Sequence, residues 1–175
     1  RGDHVNYKIR RREREDCAAI AHVVTVAWNE TYKGIVPDWF LEELKTNEPD
    51  RAKKTYDEYD ENNNHKYVLE VDNEIVGFTN FGPSMDEEYD NCGEIFALYI
   101  LKEYKGNGYG KTVMQAVKDH AKKLGLEKVT LEVPGISPNA RHIYESLGFK
   151  AKGQISDDDD SWGGLTAMEL DLTKE

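Results

Sequence analysis

The spacing of apolar residues along the chain predicts alternating strands and helices. Apolar residues three and four apart predict amphipathic helices at residues 15–31, 108–124 and 139–147, and Pro37 is expected to open another helix. Residues 49–61 also look helical, although they are very polar. Short runs rich in β-branched and aromatic residues predict strands at residues 7–10, 67–71, 74–81, 93–101, 128–133, 149–155 and 165–172. Strands and helices mixed in this order predict an α/β fold with a partly antiparallel sheet.

Local patterns add detail to this prediction. Asp72-Asn73 is expected to form the tight turn of a hairpin. Alternation along strand 93–101 places Leu98 and Ile100 on one face of the sheet and Tyr99 on the other. The helix at 108–124 is expected to bury one face, made of Val113, Ala116, Val117, His120, Ala121 and Leu124.

Composition and charge then limit the class of protein. A length of 175 residues with 38% hydrophobic residues predicts one domain, at residues 5–173, with residues 1–4 as a disordered or added end. No apolar stretch is long enough to span a membrane, so no membrane partner is expected. The net charge of -11 argues against a nucleic-acid partner and favours a cationic or neutral substrate. Two cysteines are too few for a disulfide scaffold, which favours a cytoplasmic location.

The segment from 104 to 112, Tyr-Lys-Gly-Asn-Gly-Tyr-Gly-Lys-Thr, lies between a predicted strand and a predicted helix. Its glycines would let the backbone approach a phosphate, and the N–H groups of the first helical turn would point at it. Two nucleotide-binding patterns fit poorly, because the dinucleotide fingerprint requires glycine at position 111 and the Walker loop requires glycine at position 105, and both are lysine. A glycine-rich turn that binds no ligand is the remaining alternative.

Residues 105–110 resemble the Q/R-x-x-G-x-G/A pyrophosphate loop of the GNAT superfamily of N-acetyltransferases, with lysine at the first position. The predicted order of strands and helices is similar to that of the GNAT fold. The resemblance implies a mixed central sheet of about seven strands, flanked by helices and splayed between the fourth and fifth strands. It also implies that the acetyl-CoA pyrophosphate is bound by Lys105, Gly106, Asn107, Gly108, Tyr109, Gly110 and Lys111.

A second segment, residues 138–149, resembles the N-A-x-x-x-Y-x-x-x-G-F pattern of the same superfamily. The resemblance implies that Asn139 bonds the pantetheine arm and that Tyr144 gives a proton to the departing thiolate. Helix geometry alone allows a second interpretation, in which Tyr144 is a core aromatic residue. It would then share one helix face with Ala140, Ile143 and Leu147.

Further site residues follow from the resemblance. Glu94, at the start of the central strand, matches the position of a general base, although an exposed strand end is an open alternative. Leu98, Tyr99 and Ile100 are expected to pair with pantetheine through their backbone groups. Three aromatic residues are expected to line the acceptor site, although the first is equally suited to the core: Trp28, Tyr32 and Phe81.

These observations predict an acetyl-CoA-dependent N-acetyltransferase, with acetyl-CoA as co-substrate and direct attack by a primary amine in a ternary complex. The five histidines lack metal-ligand spacing, so no metal is expected. The acidic run Asp157 to Asp160 is expected to be a solvated loop or to attract a cationic acceptor. The acceptor is expected to be a small-molecule or peptide amine, but the sequence does not identify it. Whether the protein forms a homodimer is also an open question. The alternatives are a non-catalytic acyl-CoA-binding regulatory module and a nucleotide-binding switch.

Overall fold

The computed structural model describes residues 6–83, 91–137, 139–156 and 163–174, and the structural statements below refer to these residues. The helices are α1 (Cys17–Tyr32), α2 (Asp38–Thr46), α3 (Glu48–Asp57), α4 (Tyr109–Lys123) and α5 (Ala140–Ser146). The strands are β1 (Tyr7–Arg11), β2 (Lys66–Val71), β3 (Glu74–Pro83), β4 (Cys92–Ile100), β5 (Lys128–Pro134), β6 (Lys150–Ser156) and β7 (Leu165–Asp171). The polar stretch predicted at 49–61 is helical only as far as Asp57, and it forms a third helix ahead of β2.

The strands form one mixed sheet in the order β1-β2-β3-β4-β5-β7-β6. β4 and β5 are parallel, whereas β2 is antiparallel to β1 and β3, and β7 is antiparallel to β5 and β6. The predicted α/β fold with a sheet of about seven strands is therefore confirmed. The parallel ladder joins only Cys92–Glu94 to Lys128–Thr130, although both strands continue beyond it.

Contacts divide the chain into two compact units, the first within residues 1–80 and 97–113 and the second within residues 81–96 and 114–175. In the first unit, apolar side chains cover both faces of the sheet. One cluster joins Ile20 and Val23 of α1 to Val68 and Phe78, with Tyr99 packed against them. The other cluster contains Leu69, Val71, Val76 and Val113, with Leu98 and Ile100 packed against them. The predicted alternation of residues 98–100 is therefore confirmed.

The hairpin between β2 and β3 turns at Asp72 and Asn73, which have φ angles of 51° and 68°. Two successive left-handed residues define a type I′ turn, whose twist matches that of paired strands. This confirms the predicted hairpin.

A partly buried ion pair ties β1 to the start of α1 in the first unit. Arg10 donates from Nη1 and Nη2 to the two carboxylate oxygens of Asp16, at 2.8 and 3.0 Å. Burial raises the pKa of Asp16, but the hydrogen bonds from Arg10 and from the Glu13 backbone N–H outweigh it, so the pKa of Asp16 is lowered. A second carboxylate, that of Glu70, accepts from Arg10 Nε.

In the second unit, β5 and β7 pair over seven residues and bury Val129, Leu131 and Met168. The buried face of α4 contains Met114, Val117 and Ala121, whereas Leu124 is 43% exposed. Including Leu124 in the predicted face was wrong, because α4 ends at Lys123 and the chain turns away at Gly125.

Candidate functional site

The glycine-rich segment forms an open loop in front of α4, in the first unit. Gly106 and Gly108 have φ angles of 84° and 81°, a left-handed conformation that favours glycine. A Cβ added at Gly106, Gly108 or Gly110 would meet no heavy atom within 4 Å. The glycines at 106 and 108 are therefore needed for the path of the chain, and all three leave open space beside the backbone.

The first turn of α4 faces this loop with backbone donors. The backbone N–H of Thr112 donates to the carbonyl of Gly108 at 3.2 Å and closes the first helical turn. The N–H groups of residues 109–111 precede that bond, and they lie at the positive end of the helix dipole. The side chains of Lys105 and Lys111, which belong to the same segment, are exposed. This arrangement suits an anion such as a pyrophosphate.

Side chains of the loop hold its shape. Asn107 Nδ2 donates to the carbonyl of Tyr104 at 3.1 Å, and Thr112 Oγ1 donates to the carbonyl of Gly108 at 3.1 Å. The Tyr109 ring packs edge-on against Tyr7, with centroids 5.4 Å apart. Asn107 and Tyr109 therefore shape the loop with their side chains, and their contribution to cofactor binding stays a prediction.

An aromatic cluster lies at the end of α1 in the same unit. The indole N–H of Trp28 donates to the Tyr99 hydroxyl at 2.9 Å. The Trp28 ring also packs against Tyr32 and Phe40, with centroid distances of 4.4 and 5.5 Å. Burial raises the pKa of Tyr99, so its hydroxyl is protonated at neutral pH. The Trp28–Tyr99 contact joins residues 71 positions apart, and no local pattern in the sequence could have revealed it.

A second hydrogen bond ties the end of α1 to the segment after β4. Glu30 Oε1 accepts from the backbone N–H of Lys102 at 3.0 Å. Lys102 begins the short 3-10 turn that leads into the glycine loop. The end of α1 is therefore held to the chain both before Leu101, through Trp28 and Tyr99, and after it, through Glu30 and Lys102.

In the second unit, Glu94 lies on the short parallel ladder opposite Thr130 and is half-buried. Phe81, by contrast, is 1% exposed. Its ring lies close against the backbone of Gly93 and packs edge-on with His120, with centroids 5.9 Å apart. The expectation that Phe81 lines the acceptor site does not agree with this burial, because the side chain offers no surface to a ligand here.

The helix α5 carries the other two predicted residues of the second unit. Tyr144 is half-buried, and its ring packs edge-on against Phe149 at 5.7 Å. Asn139 precedes the helix in a left-handed conformation, with φ of 57°, and its exposed side chain does not cap the helix. Ile143 is 47% exposed, so the predicted apolar face of α5 is not buried as a whole.

The predicted site residues thus fall into two groups. The first unit brings together Trp28, Tyr32, residues 98–100 and the glycine loop, whereas the second unit holds Phe81, Glu94, Asn139 and Tyr144. The run from Asp157 to Asp160 lies outside the described residues. Within the described residues, no helix is long and apolar enough to cross a membrane.

The fold and the glycine loop are consistent with one class of protein, and comparison with known sequences identifies that class. The acetyltransferase (GNAT) family model matches residues 28–149, and the chain belongs to this family. The N-acetyltransferase YjgM of Escherichia coli is 29% identical over 95 residues, which are 54% of this chain and 56% of that protein. The chain therefore spans about half the length of this relative.

Two further comparisons cover more of the chain. The spermidine N(1)-acetyltransferase of Vibrio cholerae is 25% identical over 126 residues, 70% of each chain. The crystal structure of the PaiA N-acetyltransferase from Thermoplasma acidophilum, in complex with coenzyme A, superposes with a TM-score of 0.71 at 22% identity. That superposition covers 95% of this chain and 99% of the other, and it shows that the two share a fold.

Proposed function

We propose that this protein is an acetyl-CoA-dependent N-acetyltransferase that transfers an acetyl group to a primary amine. The observation that carries the proposal is the loop of Gly106 and Gly108, with open space beside it and backbone donors of α4 ahead of it. Membership of the GNAT family supports it. The coenzyme A held by the Thermoplasma acidophilum protein indicates the ligand class.

The loop would suit the pyrophosphate of acetyl-CoA in both shape and charge. Residues 106–111 would donate backbone N–H groups to the phosphate oxygens, and the exposed Lys105 and Lys111 would add positive charge. The backbone of Leu98, Tyr99 and Ile100 would hold the pantetheine arm, as an added strand would be held. When bound, acetyl-CoA supplies an activated thioester, and the amine attacks its carbonyl directly in a ternary complex.

Glu94 is proposed as the general base. A primary amine with a pKa of about 10.4 is almost entirely protonated at pH 7, and deprotonating it costs roughly 4.6 kcal/mol. A half-buried carboxylate can take this proton directly or through a water molecule.

Tyr144 is proposed as the general acid. Its phenol would hold a proton for the departing sulfur and would take the proton back from solvent afterwards. The packing of its ring against Phe149 limits the positions that the hydroxyl can reach. Asn139, exposed beside α5, would contact the pantetheine arm.

We further infer that residues 5–173 act as one domain and that the enzyme works in the cytoplasm. The two free, buried cysteines are compatible with a reducing compartment.

An amine panel tests the proposal. The purified protein is titrated with coenzyme A by calorimetry, and free thiol is then measured with acetyl-CoA and each amine, against a control without amine. Amine-dependent thiol release is the expected result. Coenzyme A binding without thiol release from any amine would instead identify a regulatory acyl-CoA-binding module, and absence of binding would refute both.

A further inference from the structure

The segment that follows α1 exposes apolar and aromatic side chains. Two of the exposed large hydrophobic side chains lie only four residues apart after α1, Ile35 at 47% and Trp39 at 66% exposure. The Trp39 ring packs edge-on against Phe40 with centroids 5.9 Å apart, and Phe40 in turn packs against Trp28. Trp28 is hydrogen-bonded to Tyr99 on β4. A continuous line of aromatic rings, which we call the aromatic wall (Trp28, Phe40 and Trp39), therefore runs from β4 to an exposed surface.

The carboxylates within residues 30–40 already have partners. Glu30 accepts the backbone N–H of Lys102 at 3.0 Å, and Asp38 accepts from Lys33 Nζ at 3.2 Å. A polyamine would need several carboxylates for its separate charges, and binding it here would break these contacts. A monoamine with an apolar or aromatic body would instead cover Ile35 and Trp39 and gain the free energy of burying them.

Tyr99 holds the wall in place. Its ring packs against Phe78 with centroids 5.5 Å apart, so it is fixed to the sheet. Its hydroxyl accepts the Trp28 indole N–H, which sets the orientation of the ring against which Phe40 packs. Removing that hydroxyl would take away this hydrogen bond without changing the main chain of β4.

We propose that the aromatic wall takes the apolar body of a monoamine acceptor and that Tyr99 is the residue that positions the wall. This inference rests on the proposed acetyl transfer and names the substrate class for the same site.

The test compares phenethylamine, ethylamine and spermidine in the thiol-release assay and in calorimetric titrations. For the wild-type protein, we expect the phenyl group to lower KM at least about tenfold relative to ethylamine, since it buries apolar area that ethylamine lacks. Preference for spermidine would overturn the inference. If calorimetry shows phenethylamine binding but no thiol is released, the binding role of the aromatic wall would be supported and the proposed acetyl transfer would be refuted.

Variants then separate positioning from stability. Tyr99→Phe should raise the KM for phenethylamine about fivefold, the value of one hydrogen bond, and raise the KM for ethylamine much less. Trp39→Ala changes a mostly exposed side chain, so the protein should stay folded while the KM for phenethylamine rises. Tyr56→Phe removes an exposed hydroxyl on α3 and serves as the matched control. An equal rise in KM for all three amines, or a change in the KM for acetyl-CoA alone, would refute the role of Tyr99.

Discussion

Replacing Gly110 with alanine should separate coenzyme A binding from stability. Gly110 lies in the first turn of α4, its φ angle is not positive, and an added Cβ would meet no heavy atom within 4 Å. The free protein should therefore accept alanine without strain, and the better helix propensity of alanine should stabilise it by up to about 1 kcal/mol. In a protein of this length that corresponds to a rise in Tm of about 2–4 °C.

The same methyl group should weaken coenzyme A binding. It would occupy the open space through which phosphate oxygens reach the N–H groups of the loop. Loss of one charge-assisted hydrogen bond costs about 1.5–3 kcal/mol, which is roughly 10- to 150-fold in Kd. Gly110→Ala should thus bind coenzyme A much more weakly although its Tm is unchanged or higher.

Thermal melting and calorimetric titration with coenzyme A, run on the same preparation, check this prediction. Gly125→Ala is the matched control, because Gly125 lies just after α4 with φ of 77°. Alanine there should cost about 1–2 kcal/mol of stability and leave the Kd for coenzyme A unchanged. If Gly110→Ala binds coenzyme A with the parent affinity, the loop does not approach the pyrophosphate as proposed.

Three further predictions concern titratable side chains. Tyr144→Phe keeps the ring that packs on Phe149, so the Tm should hold while kcat falls on the order of 10²-fold; a parent kcat would remove Tyr144 from the mechanism. Glu94→Gln should lower kcat at neutral pH and flatten the rise of the rate with pH, and an unchanged pH profile would place the base elsewhere. The lowered pKa of Asp16 means that its ion pair stabilises the fold fully above the ordinary value of 3.8, and that this stability is lost as the pH falls through the lower folded-state pKa. Urea unfolding of Asp16→Asn should show a smaller loss of stability on acidification than the parent, and an equal loss would contradict this assignment.

Local physics accounts for the elements that the sequence could predict. The Asp72-Asn73 turn follows from the tolerance of these two residues for left-handed φ angles. The alternation of Leu98, Tyr99 and Ile100 follows from the period of a strand. The glycine loop follows from glycines placed between a strand and a helix, which is a property of the chain itself.

The structure differs from the sequence prediction at two residues, and each difference has its own cause. Leu124 fits the helical period of α4, but the helix ends one residue before it and leaves it exposed. Phe81 was expected in an acceptor site because it is aromatic, but the sheet buries it against Gly93. Periodicity describes one element at a time, so it predicts neither the exposure of Leu124 nor the burial of Phe81.

The sequence by itself determined the strands, the helices and the glycine loop, because dihedral preference, apolar period and glycine content are local properties. Only the tertiary structure decided which aromatic residues are core and which form the aromatic wall. The hydrogen bond between Trp28 and Tyr99 spans 71 residues, and it depends on α1 packing over the sheet at one position. Such a contact is set by the summed packing of many side chains, and no short segment of the chain encodes it.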